Sequence, residues 1–305
     1  MTFKPDDLMF RPGLMRGERI LITGGGTGLG KVMAEACLML GAEVYICGRR
    51  GGVLEETARE LMAAHAKASG GKVVGIACDI RAPEAIQDMV DQIWADGGAL
   101  TGLVNNAAGN FISRTEDLSP RGFDAIANIV FRGSFFVTLD VGKRWIAEGR
   151  KGSVVSILTT WVWNGGPFTV PSAMSKAGLN VMTQSLAVEW GPKGIRFNAI
   201  APGPFPTEGM SARLNPGQQQ GAYQDMSGNP LGRVGEMREL ANLAVYLLHP
   251  GSEYVNGQTI AIDGGQYNAS GGNFARLTQW DDAQWQAVKD MIRSTNEKDR
   301  AARTV

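Results

Sequence analysis

The sequence predicts an α/β protein: a doubly wound parallel sheet of seven strands with helices on both faces. Short apolar runs alternate with longer segments of helical periodicity, which is the form repeated strand–helix–strand units take in a sequence. The runs are rich in Ile, Val and Leu with little alternation, as in strands covered on both sides. Glycine is abundant, 41 of 305 residues, beside 44% hydrophobic and 20% charged residues, a composition that suits a glycine-turned protein with a buried sheet.

The first strand is expected over 19–23, around Ile20-Leu21-Ile22, and leads through a glycine-rich turn into a helix over 28–40. Strands follow at 43–48, 72–77, 101–105, 153–158, 195–200 and 257–262, with helices near 53–67, 83–96, 121–148, 171–190 and 236–248 between them. In the last of these helices Met237, Leu240, Leu243, Ala244 and Leu247 form one stripe, the spacing of a helix docked on a core. The stretch 202–232, rich in Gly and Pro, is too long and irregular for a simple connector and reads as a lid. Nothing divides the chain in two, so residues 1–266 are read as one domain and 267–305 as a helical extension. In that extension Trp285, Val288, Met291 and Ile292 recur at helical spacing, with Thr278 or Asp281 as N-cap. The apolar side is expected to pack on its own domain, on a neighbouring subunit, or over a substrate channel.

Thirty basic residues balance thirty acidic ones, so no net field favours nucleic acid or an anionic membrane. Cys37, Cys47 and Cys78 are odd in number and lie in apolar contexts, as buried free thiols in a reducing compartment do. His65 and His249 are too few and too far apart for a zinc site, and no metal is expected. No basic-then-apolar leader opens the chain and no apolar stretch approaches eighteen residues, so a cytoplasmic protein without a membrane span is expected.

Residues 23–30 read Thr-Gly-Gly-Gly-Thr-Gly-Leu-Gly between a strand and a helix, a loop whose backbone amides can approach a pyrophosphate at a helix N-terminus. Residues 105–110 read Asn-Asn-Ala-Ala-Gly-Asn, and Lys176 lies one turn into an apolar helix. Together these segments resemble the short-chain dehydrogenase/reductase family, which implies a Rossmann-type fold and a nicotinamide cofactor. The resemblance assigns Thr23, Gly24, Gly26, Thr27, Gly28, Leu29 and Gly30 to the cofactor loop, Asp79 and Ile80 to the adenine pocket, and Asn106 to the cofactor edge. Pro202, Gly203, Pro204 and Phe205 match the segment beside the nicotinamide carboxamide. The second strand ends in Gly48-Arg49-Arg50, where an acidic residue would hold the ribose hydroxyls of NAD; two arginines instead favour the extra phosphate of NADP.

The family's tyrosine, four residues before its lysine, is missing: Ser172 holds that position before Lys176. The segments 23–31, 78–81, 105–113, 171–176, 187–191 and 202–204 resemble the 2,4-dienoyl-CoA reductase branch over roughly residues 12–266, the run Asn110-Phe111-Ile112-Ser113 being the most discriminating. This implies NADP-dependent reduction of a conjugated acyl-CoA thioester, in which charge develops on the thioester oxygen and the proton goes finally to carbon. Such an oxyanion needs donors already in place rather than a phenolic acid. The resemblance casts Asn110 as the oxyanion donor, and Lys176 with Ser172 as holders of the cofactor ribose and a proton-delivering water. It makes Phe111 a wall of the acyl pocket and Arg81, Ser119 and Arg213 coenzyme A contacts. The branch's second tyrosine is replaced here by Trp161, whose indole donates through Nε1–H but releases no proton at neutral pH. Two other readings stand beside this one: reduction of a 2-enoyl or 3-ketoacyl thioester, and a catalytically silent dinucleotide-binding protein. A homodimer or homotetramer joined through the helices at 121–148 and 171–190 is expected by analogy.

Overall fold

The computed structural model describes residues 3–207, 228–270, 277 and 280–301. Seven parallel strands form one sheet in the order β3-β2-β1-β4-β5-β6-β7. They are β1 (Arg19–Thr23), β2 (Glu43–Gly48), β3 (Lys72–Ala77), β4 (Gly102–Asn105), β5 (Gly152–Ile157), β6 (Ile195–Pro202) and β7 (Thr259–Ile262). Every predicted strand is present, within two residues of its expected bounds. The doubly wound order puts a switch between β1 and β4, where chain connections leave in opposite directions and a crevice opens at the carboxyl ends.

Helices cover both faces, so successive residues of one strand enter different cores. Ile20 and Ile22 of β1 join a cluster with Met33, Leu38 and Leu240, under α1 (Gly28–Met39), α2 (Gly51–Leu61) and the late helix Met237–Leu248. Leu21 points the other way, toward Ile93, Val137, Val141 and Trp145, under α3 (Pro83–Gly97), α4 (Pro120–Ala127), α5 (Ser134–Ala147) and α6 (Val170–Glu189). Numbered in sequence, Met237–Leu248 is α7 and the tail helix Asp282–Ala301 is α8.

Two expected helices are irregular. The 53–67 segment continues past α2 as a π-helical turn, Met62–Ala66, which carries His65 onto the buried carboxylate of Glu35 at 2.8 Å. The 121–148 segment is α4 and α5 joined by a π-helical stretch, Asn128–Gly133. Together Pro120–Ala147 is also long and apolar enough to cross a membrane by length and composition, although Arg132 and other charges break it as an apolar run. Here it is a core helix whose inner side lies on β4, β5 and α3.

The cysteines are buried and free. Residues ahead of β1 fold back over α1 and α7: Phe3, Leu8 and Met15 enter the core, and the Phe3 N–H donates to Glu35 at 3.0 Å. In the expected lid 202–232, residues 208–227 lie outside the described residues. The tail helix forms, with Asp281 and Gln284 capping each other's backbone N–H at 2.8 and 3.0 Å, while Thr278 lies outside the described residues. Trp285, Met291 and Ile292 remain exposed on it.

Candidate active site

The glycine loop after β1 is held by backbone proximity. A Cβ at Gly30 would lie 2.4 Å from the Gly24 carbonyl, and one at Gly24 would lie 3.0 Å from Ala107 Cα. Gly28 differs: its φ is +55° and a Cβ there would meet nothing nearer than Thr207 at 3.6 Å, so it faces the crevice. Thr27, the N-cap of α1, makes no side-chain cap, which leaves the first amides of that helix to a ligand. Gly26, Thr27 and Leu29 complete the loop.

Thr23 braces this loop from behind. Its hydroxyl accepts from the backbone N–H of Asn106 (3.0 Å) and of Ala107 (2.9 Å) and donates to the Val104 carbonyl (3.3 Å). Asn106 returns the tie, its amide donating to the carbonyls of Thr23 (2.9 Å) and Gly24 (3.2 Å). The two residues carried over as cofactor contacts therefore also lock the β1 and β4 ends together.

Beyond the loop a small cavity of about 100 Å³ is lined by Gly24, Cys47, Arg49, Asp79, Ile80 and Ala107. A larger one of about 400 Å³, sharing Cys47, Arg49 and Ala108, adds Thr27, Arg50 and Val53. Arg49 and Arg50 are exposed, and among the described residues their guanidinium groups make no hydrogen bond or ion pair, although Arg49 lies close enough to Asp79 to favour its charged form. Arg50 is also the N-cap of α2 and leaves that helix start without a side-chain cap. An uncapped amide cradle, two exposed guanidiniums and an adenine-sized cavity in one crevice fit a dinucleotide. Asp79 is engaged by Arg81, whose Nε lies 2.9 and 3.0 Å from the two carboxylate oxygens; this pairing holds the carboxyl below its ordinary range. Arg81, read as a coenzyme A contact, thus points to the adenine side.

Pro202 ends β6, and Gly203 packs so closely on Asp263 that a Cβ would lie 2.6 Å from that residue's Cβ. The ring of Phe205 is buried in the core beside Gly235, so this segment presents the backbone of 202–204 to the crevice.

Lys176 sits on α6 and is 8% exposed. Its ammonium donates to the Ile157 carbonyl at the end of β5 and has no carboxylate partner among the described residues. Desolvation lowers its pKa to about 8. Two of its three N–H donors remain for a ligand. Ser172, one turn earlier, is buried, and its hydroxyl makes no hydrogen bond among the described residues.

Asn110 follows β4. Its Oδ1 accepts from the Phe111 N–H at 2.9 Å, which fixes the amide so that Nδ2 is the free end, without a partner among the described residues. Phe111 is half-buried, packed with Ile126 and Leu179 and reaching toward Gly122. Trp161 opens a short helix, Trp161–Asn164, after β5, with its indole against Gly166, where a Cβ would come within 2.9 Å of the ring. Its indole N–H is also unpaired among the described residues. The loop 165–169 links these parts: it backs Trp161, bonds to the 110–113 strip through Ser113 N–H and Phe168 carbonyl at 2.9 Å, and runs into α6.

Ser119 is exposed and accepts from the Gly122 N–H at 3.1 Å as the N-cap of α4, a sufficient structural reason for a serine there. Arg213 lies outside the described residues. Sequence reasoning missed a clamp built from the β7 end. The Asp263 carboxylate accepts from the N–H groups of Gly265 (2.9 Å) and Tyr267 (2.7 Å), starting a short helix, Gln266–Ser270, that stacks Tyr267 on Trp163 at 4.6 Å between centroids. The Asp263-Gly264-Gly265 run is the one signal of it in the sequence. No group of metal-ligating side chains occurs among the described residues.

The family model described as Enoyl-(Acyl carrier protein) reductase matches residues 24–267. A Caenorhabditis elegans protein described as a probable 2,4-dienoyl-CoA reductase is 41% identical over 297 residues, covering 96% of this chain and 95% of that one. A Bacillus subtilis protein described as a probable 2,4-dienoyl-CoA reductase is 40% identical over 254 residues, 83% of this chain and 98% of its own. The crystal structure of a short chain dehydrogenase from Bacillus anthracis superposes with a TM-score of 0.72 at 40% identity, over 83% of this chain and 98% of that one. With its seven-stranded sheet, its glycine loop and these relatives, the chain belongs to the short-chain dehydrogenase/reductase family of oxidoreductases, and within it is similar to the 2,4-dienoyl-CoA reductases.

Proposed function

We propose that the protein is an NADP-dependent reductase of unsaturated acyl-CoA thioesters, acting on 2,4-dienoyl-CoA in the β-oxidation of unsaturated fatty acids. The observation that carries this reading is the pairing of a missing phenol at Ser172 with a fixed, unpartnered amide donor at Asn110. The hydride is what the reduced nicotinamide supplies when bound. Reduction of the diene would leave negative charge on the thioester oxygen, to which the Asn110 Nδ2–H and the Trp161 indole N–H would donate. A proton then adds to carbon from a water held by Lys176 and Ser172, so one hydride and one proton saturate one double bond. Lys176 also holds the ribose hydroxyls, Phe111 walls the acyl pocket, Ser119 and Arg213 meet coenzyme A, and Arg81, turned onto Asp79, borders the adenine pocket instead. Arg49 and Arg50 give the preference for NADP over NAD.

The 2-enoyl thioester is the second reading, favoured by the description of the matching family model. Following nucleotide oxidation against a panel of dienoyl-, enoyl- and ketoacyl-CoA esters, with NADPH and NADH in parallel, separates the two. Dienoyl turnover with NADPH is the expected result; turnover of enoyl or ketoacyl esters alone reverses the order. Tight NADPH binding without turnover of any ester would leave a silent dinucleotide-binding protein. The protein is further proposed to be cytoplasmic and to work as a homodimer or homotetramer.

A further inference from the structure

Among the described residues Phe168 is the one non-glycine with a backbone in the left-handed region, at φ +62°. A bulky side chain is strained there, and glycine would adopt the same turn freely. The strain is not offset by burial, since the ring is 55% exposed. It is held in place nevertheless. The Phe168 carbonyl accepts from the Ser113 N–H at 2.9 Å, and the next residue, Thr169, is the N-cap of α6, its carbonyl accepting from Ser172 N–H at 3.0 Å. Gly166, two residues earlier, lies under Trp161. An exposed aromatic is thus fixed between the strip carrying Asn110 and the helix carrying Ser172 and Lys176. Ile112, next to the bonded Ser113, is exposed as well. Two exposed apolar side chains on hydrogen-bonded neighbouring segments beside a polar site call for an apolar ligand segment.

We propose that Phe168, together with Ile112, grips the hydrocarbon chain of the acyl thioester and sets the chain length the site accepts. The inference rests on the acyl-thioester reading above and adds a specificity-determining residue to it. Phe168→Ala and Phe168→Gly are compared with wild type in two measurements. In steady-state turnover with NADPH, KM for 2,4-decadienoyl-CoA is expected to rise about tenfold in both variants, with kcat and the KM for 2,4-hexadienoyl-CoA nearly unchanged. In calorimetry with NADP⁺ present, decanoyl-CoA should lose about the same factor in affinity and hexanoyl-CoA little. Phe168→Gly should in addition unfold at a higher temperature than Phe168→Ala, which separates relief of strain from loss of the contact.

Unchanged decanoyl-CoA affinity and decadienoyl KM overturn the inference. So does an equal loss for short and long esters, which would place the contact on the coenzyme A portion. If no dienoyl ester is turned over but decanoyl-CoA affinity still depends on Phe168, the reductase reading falls and the chain-length contact stands. If no acyl-CoA binds at all, both fall.

Discussion

At Asn110 the direction of one amide decides whether an oxyanion can be held. Because the Phe111 N–H needs an acceptor, Oδ1 is committed and Nδ2 is presented. Asn110→Ala removes that donor and is expected to lower kcat about 10²-fold while leaving NADPH affinity within a factor of about two, the pattern of a group that acts on developing charge. A titration of NADPH fluorescence alongside steady-state kinetics checks both parts. Lys176 ties the site to pH through its burial. Desolvation brings its pKa to about 8, so its ammonium is lost as pH rises through that value. If the cation is the working form, kcat/KM falls on the basic side near pH 8, and Lys176→Arg, which keeps its charge, loses that limb at a lower overall rate. Stability moves the opposite way. Between about 8 and the ordinary 10.5 the unfolded chain binds the proton and the folded one does not, so the cost of burying the charge is relieved and stability rises with pH across that window. Lys176→Met should flatten this rise in thermal melts.

At the level of elements, what the sequence revealed and what it hid have different physical causes. Strands were legible because each is a continuous apolar run covered on both faces, and the glycine loop because its closely spaced glycines sit directly between such a run and a helical segment. Pairings between distant segments were not. Nothing in the order of residues says that Tyr267 lands on Trp163, that the Thr23 hydroxyl serves Asn106 and Ala107, or that the Phe205 ring turns into the core instead of toward the crevice. Nor does Gly-Gly-Pro-Phe announce a positive φ at its phenylalanine. The Asp263–Tyr267–Trp163 clamp gives this hidden layer a consequence. It holds the four-residue helix that carries Trp161, an element too short to be stable by its own hydrogen bonds. Tyr267→Ala is expected to cost about 1–2 kcal/mol through the lost ring contact, and Asp263→Asn about 1 kcal/mol through weaker capping. Near-ultraviolet dichroism of the tryptophans should change with the first and less with the second. Equal, wild-type spectra in both variants would mean that Trp163 is held by other contacts.

At the scale of the whole molecule, the described residues leave an apolar surface uncovered. Met174, Val181 and Val188 recur every seven residues along α6 and are exposed, Val188 to 79%. Phe131 and Phe135, one turn apart on the neighbouring helical stretch, extend the same surface, because Phe131 lies against Gly178, where a Cβ would come within 2.6 Å of its ring. The glycine lets the two helices approach so closely that five apolar side chains form one patch rather than two stripes. A patch of this kind on a chain whose formal charge sums to zero has little to keep copies apart, and it lies on the two helices through which a homo-oligomer is proposed. Val181→Glu with Val188→Glu would put two carboxylates at its centre without touching the core, since both side chains point outward. Sedimentation equilibrium is expected to give a dimer or tetramer for wild type and a folded monomer for the double variant, with far-ultraviolet dichroism unchanged. Burying one carboxylate opposite another across a two-fold interface is unfavourable by several kcal/mol, enough to dissociate an assembly of ordinary affinity at micromolar concentration. A wild-type monomer would remove the proposal, and an oligomer that survives both substitutions would move the interface to another face, with the uncovered stripe of α8 at Trp285, Met291 and Ile292 the next to substitute.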